Sequence, residues 1–291
     1  VSAPARWLVV SVRVNDAELR PLAAEAMMER GSAVQEDGDA LVTYLAEPAD
    51  PDAAAEGLRR LVADALPDGI AAEVSWTWRA DEDWAATWKA GLGPREVTPR
   101  LVVKPTWTEW AAKPGQIVLD VDPQMAFGTG EHATTRGCLR LLDAVVRDGD
   151  RVVDVGSGSA ILAIAAVRLG AAEAVAIEYD PDANLNAVEN VEQNGVAGRV
   201  RIVEAMADAP LLAAHAPADL LLANILSGVI RPLLPSFRDT IAASADPRLI
   251  VSGILRTEAP DVVRDAEAAG FRVDRVDEEE EWWSALLRPV G

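Results

Sequence analysis

The chain is poor in the residues that build covalent and metal-held scaffolds. Its 291 residues include one cysteine, Cys138, and two histidines, His132 and His215. One thiol cannot make an internal disulfide framework or a cysteine metal site. Two imidazoles argue against a multi-histidine metal centre, and no metal is expected. No apolar run reaches the roughly 18 uncharged residues a membrane helix needs, and the opening Val1–Arg6 shows no signal-peptide cleavage pattern. A cytoplasmic monomer without a membrane partner is the expectation. Basic side chains are also scarce: 27 Lys and Arg face 47 Asp and Glu, a net charge of −20 with neutral histidines. Residues 1–80 hold 14 acidic and 7 basic side chains, and residues 111–291 hold 28 and 16, so the imbalance is not local. Nucleic-acid binding rests on Lys and Arg neutralising phosphates, so none is expected. A basic protein partner would be attracted instead.

Half the residues are hydrophobic and a quarter are charged, as in an ordinary globular protein. The length allows one large domain or two smaller ones. Residues 1–80 read as six short elements. Trp7–Val14 is strand-like, and Asp16–Arg30 carries Leu19, Leu22, Ala23, Ala26 and Met27 at helical spacing, stopped by Gly31. Ala33–Glu36 and Leu41–Leu45 flank the hairpin signal Asp37-Gly38-Asp39. Asp52–Ala65 predicts a second helix, and in Ala72–Arg79 the residues Val74, Trp76 and Trp78 alternate as in a strand. The order βαββαβ is the ferredoxin-like split motif. Residues 81–110 read as a linker containing a helix, with Trp84 and Trp88 on one face and Gly91, Gly93, Pro94 and Pro99 as breakers.

From Gln116 onward strands and helices alternate. Arg151–Val155, Ala174–Glu178, Val200–Val203, Asp219–Ala223 and Leu249–Ser252 are short apolar strands. Ile161–Leu169, Asp182–Gln193 and Ile225–Ala243 lie between them with helical spacing. A helix near Glu258–Ala269 and strands near Phe271–Val276 and Trp283–Leu287 follow. This pattern predicts a doubly covered, mostly parallel sheet with an antiparallel pair at one edge. The acidic run Asp277–Glu281 reads as a solvated turn.

The strongest local signal is Asp154-Val155-Gly156-Ser157-Gly158-Ser159-Ala160, where a strand ends in a glycine loop and a helix begins. Glycines let a backbone turn sharply and approach a ligand closely. A dinucleotide fingerprint would place Gly at Ile161, so the pattern favours S-adenosyl-L-methionine, which has no pyrophosphate, over a nicotinamide cofactor. Glu178 at the tip of the next strand can accept both hydroxyls of a ribose, with Asp180 the alternative. Asp154 can hold the cofactor's amino group directly or through water, or cap the glycine loop.

Two further segments make a resemblance specific. Asp122-Pro123-Gln124-Met125-Ala126-Phe127-Gly128-Thr129-Gly130-Glu131-His132-Ala133-Thr134-Thr135 precedes the sheet, and Ala223-Asn224-Ile225-Leu226 follows its fourth strand. With the glycine loop and Ser252-Gly253-Ile254-Leu255, they resemble the ribosomal protein L11 methyltransferases (the PrmA family) from Trp84 to the C-terminus. The resemblance implies a Rossmann-like, seven-stranded methyltransferase sheet over 111–291. It implies an N-terminal ferredoxin-like α+β domain for substrate recognition over 1–80. It also implies S-adenosyl-L-methionine as cofactor and methylation of the N-terminal α-amine and lysines of a basic ribosomal protein. Carried over from the family, Thr135, Gly156, Glu178 and Asn224 contact the cofactor, with Asp154 and Gly158 beside them. The family usually has Pro at Ala133, Cys at Ser157, Gly at Ala160 and Asp at Glu178. Asn224 is the candidate catalytic residue: its carbonyl can accept N–H bonds from an amine and so orient it. A glutamine methyltransferase would carry Asn-Pro-Pro-Tyr here, so the segment favours amine substrates. Another protein lysine, a small molecule, a nicotinamide-dependent reduction and an inactive binding module are the alternatives. His132 reads as a loop hydrogen-bonding residue in preference to a base, and Cys138 as a core residue.

Overall fold

A computed structural model describes residues 6–14, 16, 19–28, 34–37, 40–67, 70, 72–80, 92–122 and 132–290. The expected Gly31 stop, the Gly38–Asp39 turn, the Trp84/Trp88 helix and residues 123–131 of the motif before the sheet lie outside them. The chain divides into two compact units, residues 1–92 and 93–291.

In the first unit, strands β1 (Arg6–Val14), β2 (Val34–Asp37), β3 (Ala40–Ala46) and β4 (Ala72–Ala80) form an antiparallel sheet in the order β2-β3-β1-β4. Helices α1 (Arg20–Met28) and α2 (Pro51–Ala65) complete the ferredoxin-like arrangement. The strand period explains the core: alternate residues Leu8, Val10, Val12 and Val14 are buried against Ala23, Met27, Leu58 and Val62. Helix α2 starts where Asp50 caps it, accepting from the Ala53 N–H at 3.0 Å, and where Pro51 supplies a preset φ.

The second unit opens with a small sheet of β5 (Arg95–Glu96), β6 (Leu101–Pro105) and β7 (Ile117–Val121), in which β6 and β7 run parallel. Strands β5 and β6 fall within the stretch read as a linker. Its prolines and glycines bound these short strands.

Strands β8 (Arg151–Val155), β9 (Glu173–Glu178), β10 (Val200–Glu204), β11 (Leu220–Asn224), β12 (Arg248–Leu255), β13 (Phe271–Glu279) and β14 (Trp282–Pro289) form the large sheet, in the order β10-β9-β8-β11-β12-β14-β13. The first five are parallel, and β14 runs antiparallel to both β12 and β13. The flanking helices are α3 (Ala133–Val145), α4 (Ile161–Leu169), α5 (Pro181–Gln193), α6 (Ala209–Ala214), α7 (Ser227–Ile241) and α8 (Ala259–Ala268). Two apolar clusters fill the two faces. One gathers Val152, Ala174, Ala176, Leu220, Leu222 and Ile250 with α3 and α4, the other Val153, Val155, Ile177, Leu221, Ala223, Leu249 and Val251 with α7 and α8. Strict alternation along each strand therefore decides which polar end residue faces which layer.

The acidic run is not a solvated turn. Asp277 and Glu279 lie in β13 and bind Arg140 and Arg136 of α3, and the turn is confined to Glu280–Glu281. Composition alone cannot distinguish a solvated acidic turn from a strand edge facing arginines of another element.

Candidate functional site

The parity of the strands brings the candidate residues to one face. Asp154 follows Val152 by two residues, Glu178 follows Ala176, Asn224 follows Leu222 and Ser252 follows Ile250, so all four point toward the α3–α5 layer. Asn224 stands opposite Ser252 in register, and Glu178 stands opposite Glu204. At the usual strand spacing, Glu178 and Asn224 are about 10 Å apart with β8 between them. Strand order reverses between β8 and β11, so Gly156 and Asn224 flank the topological switch point, where open α/β sheets form their ligand crevice.

Backbone bonds pin the glycine loop. Gly156 and Ser157 donate from their N–H groups to the Ile177 carbonyl at 2.9 and 3.1 Å. Gly156 and Gly158 have φ of 68° and 51°, the left-handed region that favours glycine. A Cβ on Gly156 would collide with Cγ2 of Ile225, and one on Gly253 would lie 2.5 Å from the Ile225 carbonyl oxygen. The Asn224-Ile225 turn thus passes between two glycines, Gly156 just after β8 and Gly253 within β12. Ala160, where the family usually has Gly, has φ of 61°, so its methyl sits in a conformation that costs about 1–2 kcal/mol.

Asp154 is fully buried, and its Oδ2 accepts the Ala163 N–H at 3.1 Å. Ala160 has no side chain with which to cap α4, so Asp154 caps it from below. Its Oδ1 has no partner among the described residues. Burial pushes this carboxyl up to about 7, against the lowering bond from Ala163, and the Glu178 charge adds to the rise. The capping reading holds for Oδ2, and Oδ1 remains available for the alternative.

Glu178 is buried at the tip of β9. Its Oε2 accepts the Gly158 N–H at 3.0 Å, and its Oε1 accepts those of Tyr179 and Asp180 at 2.9 and 3.0 Å. Three of about four acceptor positions on the carboxylate are therefore held by backbone. Asp180 instead caps α5 through the Asp182 N–H.

Thr135 lies in the first turn of α3, fully buried, with Oγ1 unpartnered among the described residues. Ser252 Oγ donates to the Thr134 carbonyl at 3.2 Å, tying that turn to β12. Ser157 Oγ is likewise buried without a described partner. Asn224 is half-buried, and its amide makes no hydrogen bond among the described residues. His132 caps α3, with Nδ1 2.7 Å from Thr134 Oγ1 and its ring edge-on to Trp282 at 4.9 Å. Cys138 is buried, and burial raises its thiol above the usual range, so it is inert.

Sequence reasoning missed two groups. Tyr179 and Met206, 62% and 64% exposed, follow β9 and β10. The Ala205 N–H binds the Glu178 carbonyl at 3.0 Å, which holds the two loops together. The available signal was a large side chain one or two residues after each strand end. Three asparagines of the α5 face, Asn186, Asn190 and Asn194, bind the backbone of β7 and its continuation at Asp122. They form no known cofactor motif and read as an ordinary polar helix face. Among the described residues there is no His/Cys/Asp/Glu cluster that could hold a metal, and no helix long and apolar enough to cross a membrane.

The sequence matches the ribosomal protein L11 methyltransferase (PrmA) family over residues 8–288. The ribosomal protein L11 methyltransferase of Pelotomaculum thermopropionicum is 44% identical over 233 residues, covering 80% of this chain and 74% of that protein. The protein of the same name from Geobacter sulfurreducens is 42% identical over 211 residues, 72% of this chain and 68% of its own length. Among solved structures, the ribosomal protein L11 methylase of Lactobacillus delbrueckii subsp. bulgaricus matches with a TM-score of 0.60 at 27% identity, covering 68% of this chain and 100% of that one.

Proposed function

The chain belongs to the ribosomal protein L11 methyltransferase (PrmA) family, and from that membership we propose that it methylates amines of ribosomal protein L11 with S-adenosylmethionine as donor. The observation that carries this reading is the convergence of Gly156, Glu178, Asn224 and Ser252 on one rung of one sheet face, with Asp154 a step below. The residues fit the cofactor. The unpartnered Asp154 Oδ1 suits an ammonium, and the buried Thr135 and Ser157 hydroxyls suit the polar groups beside it. The last acceptor position of Glu178 suits a ribose hydroxyl, and Tyr179 and Met206 offer apolar surfaces for a planar base.

When bound, the cofactor supplies a methyl group on a sulfonium. The protein's part is to bind, orient and keep the acceptor neutral. A lysine ammonium with an ordinary value of about 10.4 is mostly protonated at neutral pH, whereas an α-amine near 8 loses its proton more easily. Burial and a nearby positive charge lower either value. The Asn224 carbonyl accepts an N–H of the neutral amine and turns its lone pair toward the methyl, so Asn224 acts by orientation and not as a base. The net charge of −20 favours encounter with a basic ribosomal protein. Residues 1–80, with their own core and no catalytic motif, serve as the recognition domain for that protein, and the cytoplasm is where the two meet.

Calorimetric titration with S-adenosylmethionine and, in parallel, with NADH tests the cofactor assignment. Saturable binding of the first alone is expected. Binding of the nicotinamide, or of neither, contradicts the assignment.

A further inference from the structure

Helix α5 presents Asn186 and Asn190, and its cap Asn194, at four-residue spacing, and all three are buried. Four residues of helix advance about 6 Å, and two residues of strand about 6.6 Å. An amide on every fourth helical residue can therefore meet alternate residues on one strand edge. It does so here. Asn194 Oδ1 accepts the Asp120 N–H at 3.0 Å and Nδ2 donates to the Asp120 carbonyl at 2.6 Å. Asn190 Oδ1 accepts the Asp122 N–H at 2.9 Å, and Asn186 Nδ2 donates to the Asp122 carbonyl at 3.1 Å. The side chains stand in for a neighbouring strand along β7 and its continuation.

Asn190 differs from the other two. Its Nδ2 donates both to Asn186 Oδ1 and to the Ser159 carbonyl, each at 3.2 Å. Ser159 lies in the glycine loop, between Gly158, whose N–H holds Glu178, and Ala160 with its left-handed φ. The same helix holds the tip of β9 through Asn184 Nδ2, which donates to the Glu178 carbonyl at 3.0 Å. We propose that Asn190 is a positioning residue for cofactor binding: one amide fixes the glycine loop and the continuation of β7 at Asp122 against each other without touching the ligand. The inference rests on S-adenosylmethionine being the ligand of this crevice.

Asn194 supplies a matched control. It also makes three bonds, to Asp120 N–H, Asp120 carbonyl and the Asn190 carbonyl, and none reaches the glycine loop. Asn190→Ala and Asn194→Ala should therefore lower the urea midpoint comparably, while their ligand affinities diverge. Calorimetry with S-adenosylmethionine should show a loss of about tenfold for Asn190→Ala and under about twofold for Asn194→Ala. In the ligand-free proteins, amide exchange across 156–160 should quicken only in Asn190→Ala. Asn190→Asp keeps the acceptor for Asp122 and removes both donated bonds, so it should lose affinity as Asn190→Ala does. It carries the comparison if the alanine variant does not fold. Equal affinities for the 190 and 194 variants, with unchanged loop exchange, would overturn the inference while leaving the cofactor reading intact. A wild-type protein that does not bind S-adenosylmethionine would remove that reading and the inference with it.

Discussion

Asp154 uses its two carboxylate oxygens differently. Its Oδ2 caps α4, and its Oδ1 has no partner among the described residues. Burial raises its carboxyl from the ordinary carboxylate range to about 7, so the folded protein holds a proton that the unfolded chain has already lost. The associated stability is fully present below about pH 4 and is lost as pH rises through about 7. Asp154→Asn should abolish that falling limb: in urea denaturation without ligand, the variant should gain stability relative to wild type between pH 4 and 7. Parallel wild-type and variant curves across this window would show that the carboxyl titrates normally. The glycines show an economy of space. Gly156 and Gly253 each leave out a Cβ that would strike Ile225, so the turn carrying Asn224 has room only between them.

Among the elements, α3 has one improvable position. Ala133 is its first residue, after a His132 cap in extended conformation with φ −76° and ψ 139°. The first helical position has no use for its N–H, and an extended preceding residue tolerates proline. Ala133→Pro, the residue usual in the family, should raise stability by about 0.4–1 kcal/mol, read as a higher urea midpoint. A lower midpoint would mean that the Ala133 N–H has a role beyond the helix. Elements were also where sequence reading succeeded and failed most clearly. The parallel strands were legible as short apolar runs, and Glu178 and Asn224 are the polar residues that close β9 and β11. The Asn186–Asn190–Asn194 ladder was not legible, since its partners are backbone groups some 70 residues away, as with Asp120 and Asn194 at a separation of 74. Helix α7 starts at Ser227, two residues later than its periodicity predicts, because Ile225 is committed to the turn between the glycines. The ion pairs of Arg136 and Arg140 gave Asp277 and Glu279 a strand role that a count of acidic residues could not reveal.

At the scale of the whole molecule, the chain divides into two compact units, and the proposed division of labour between them can be tested. All the described site residues lie beyond residue 120, and residues 93–291 contain both faces of the large sheet's core. A fragment comprising residues 81–291 should therefore bind S-adenosylmethionine within a few-fold of the full chain yet lose almost all methylation of ribosomal protein L11. Calorimetry and methyl incorporation on one folded preparation check this. Full methylation by the fragment would take the recognition role from residues 1–80. The C-terminal end of β11, a central strand, is proposed to deliver methyl groups to amines of that protein at Asn224. The most direct test is intact-mass spectrometry of unmethylated ribosomal protein L11 after incubation with S-adenosylmethionine and either the wild-type chain or Asn224→Ala. A series of methyl additions is expected with wild type, mapped to the α-amine and lysines, and at least a tenfold slower series with a variant that still binds cofactor. An unchanged substrate mass with the wild-type chain, or equal rates for the two, would contradict that proposal.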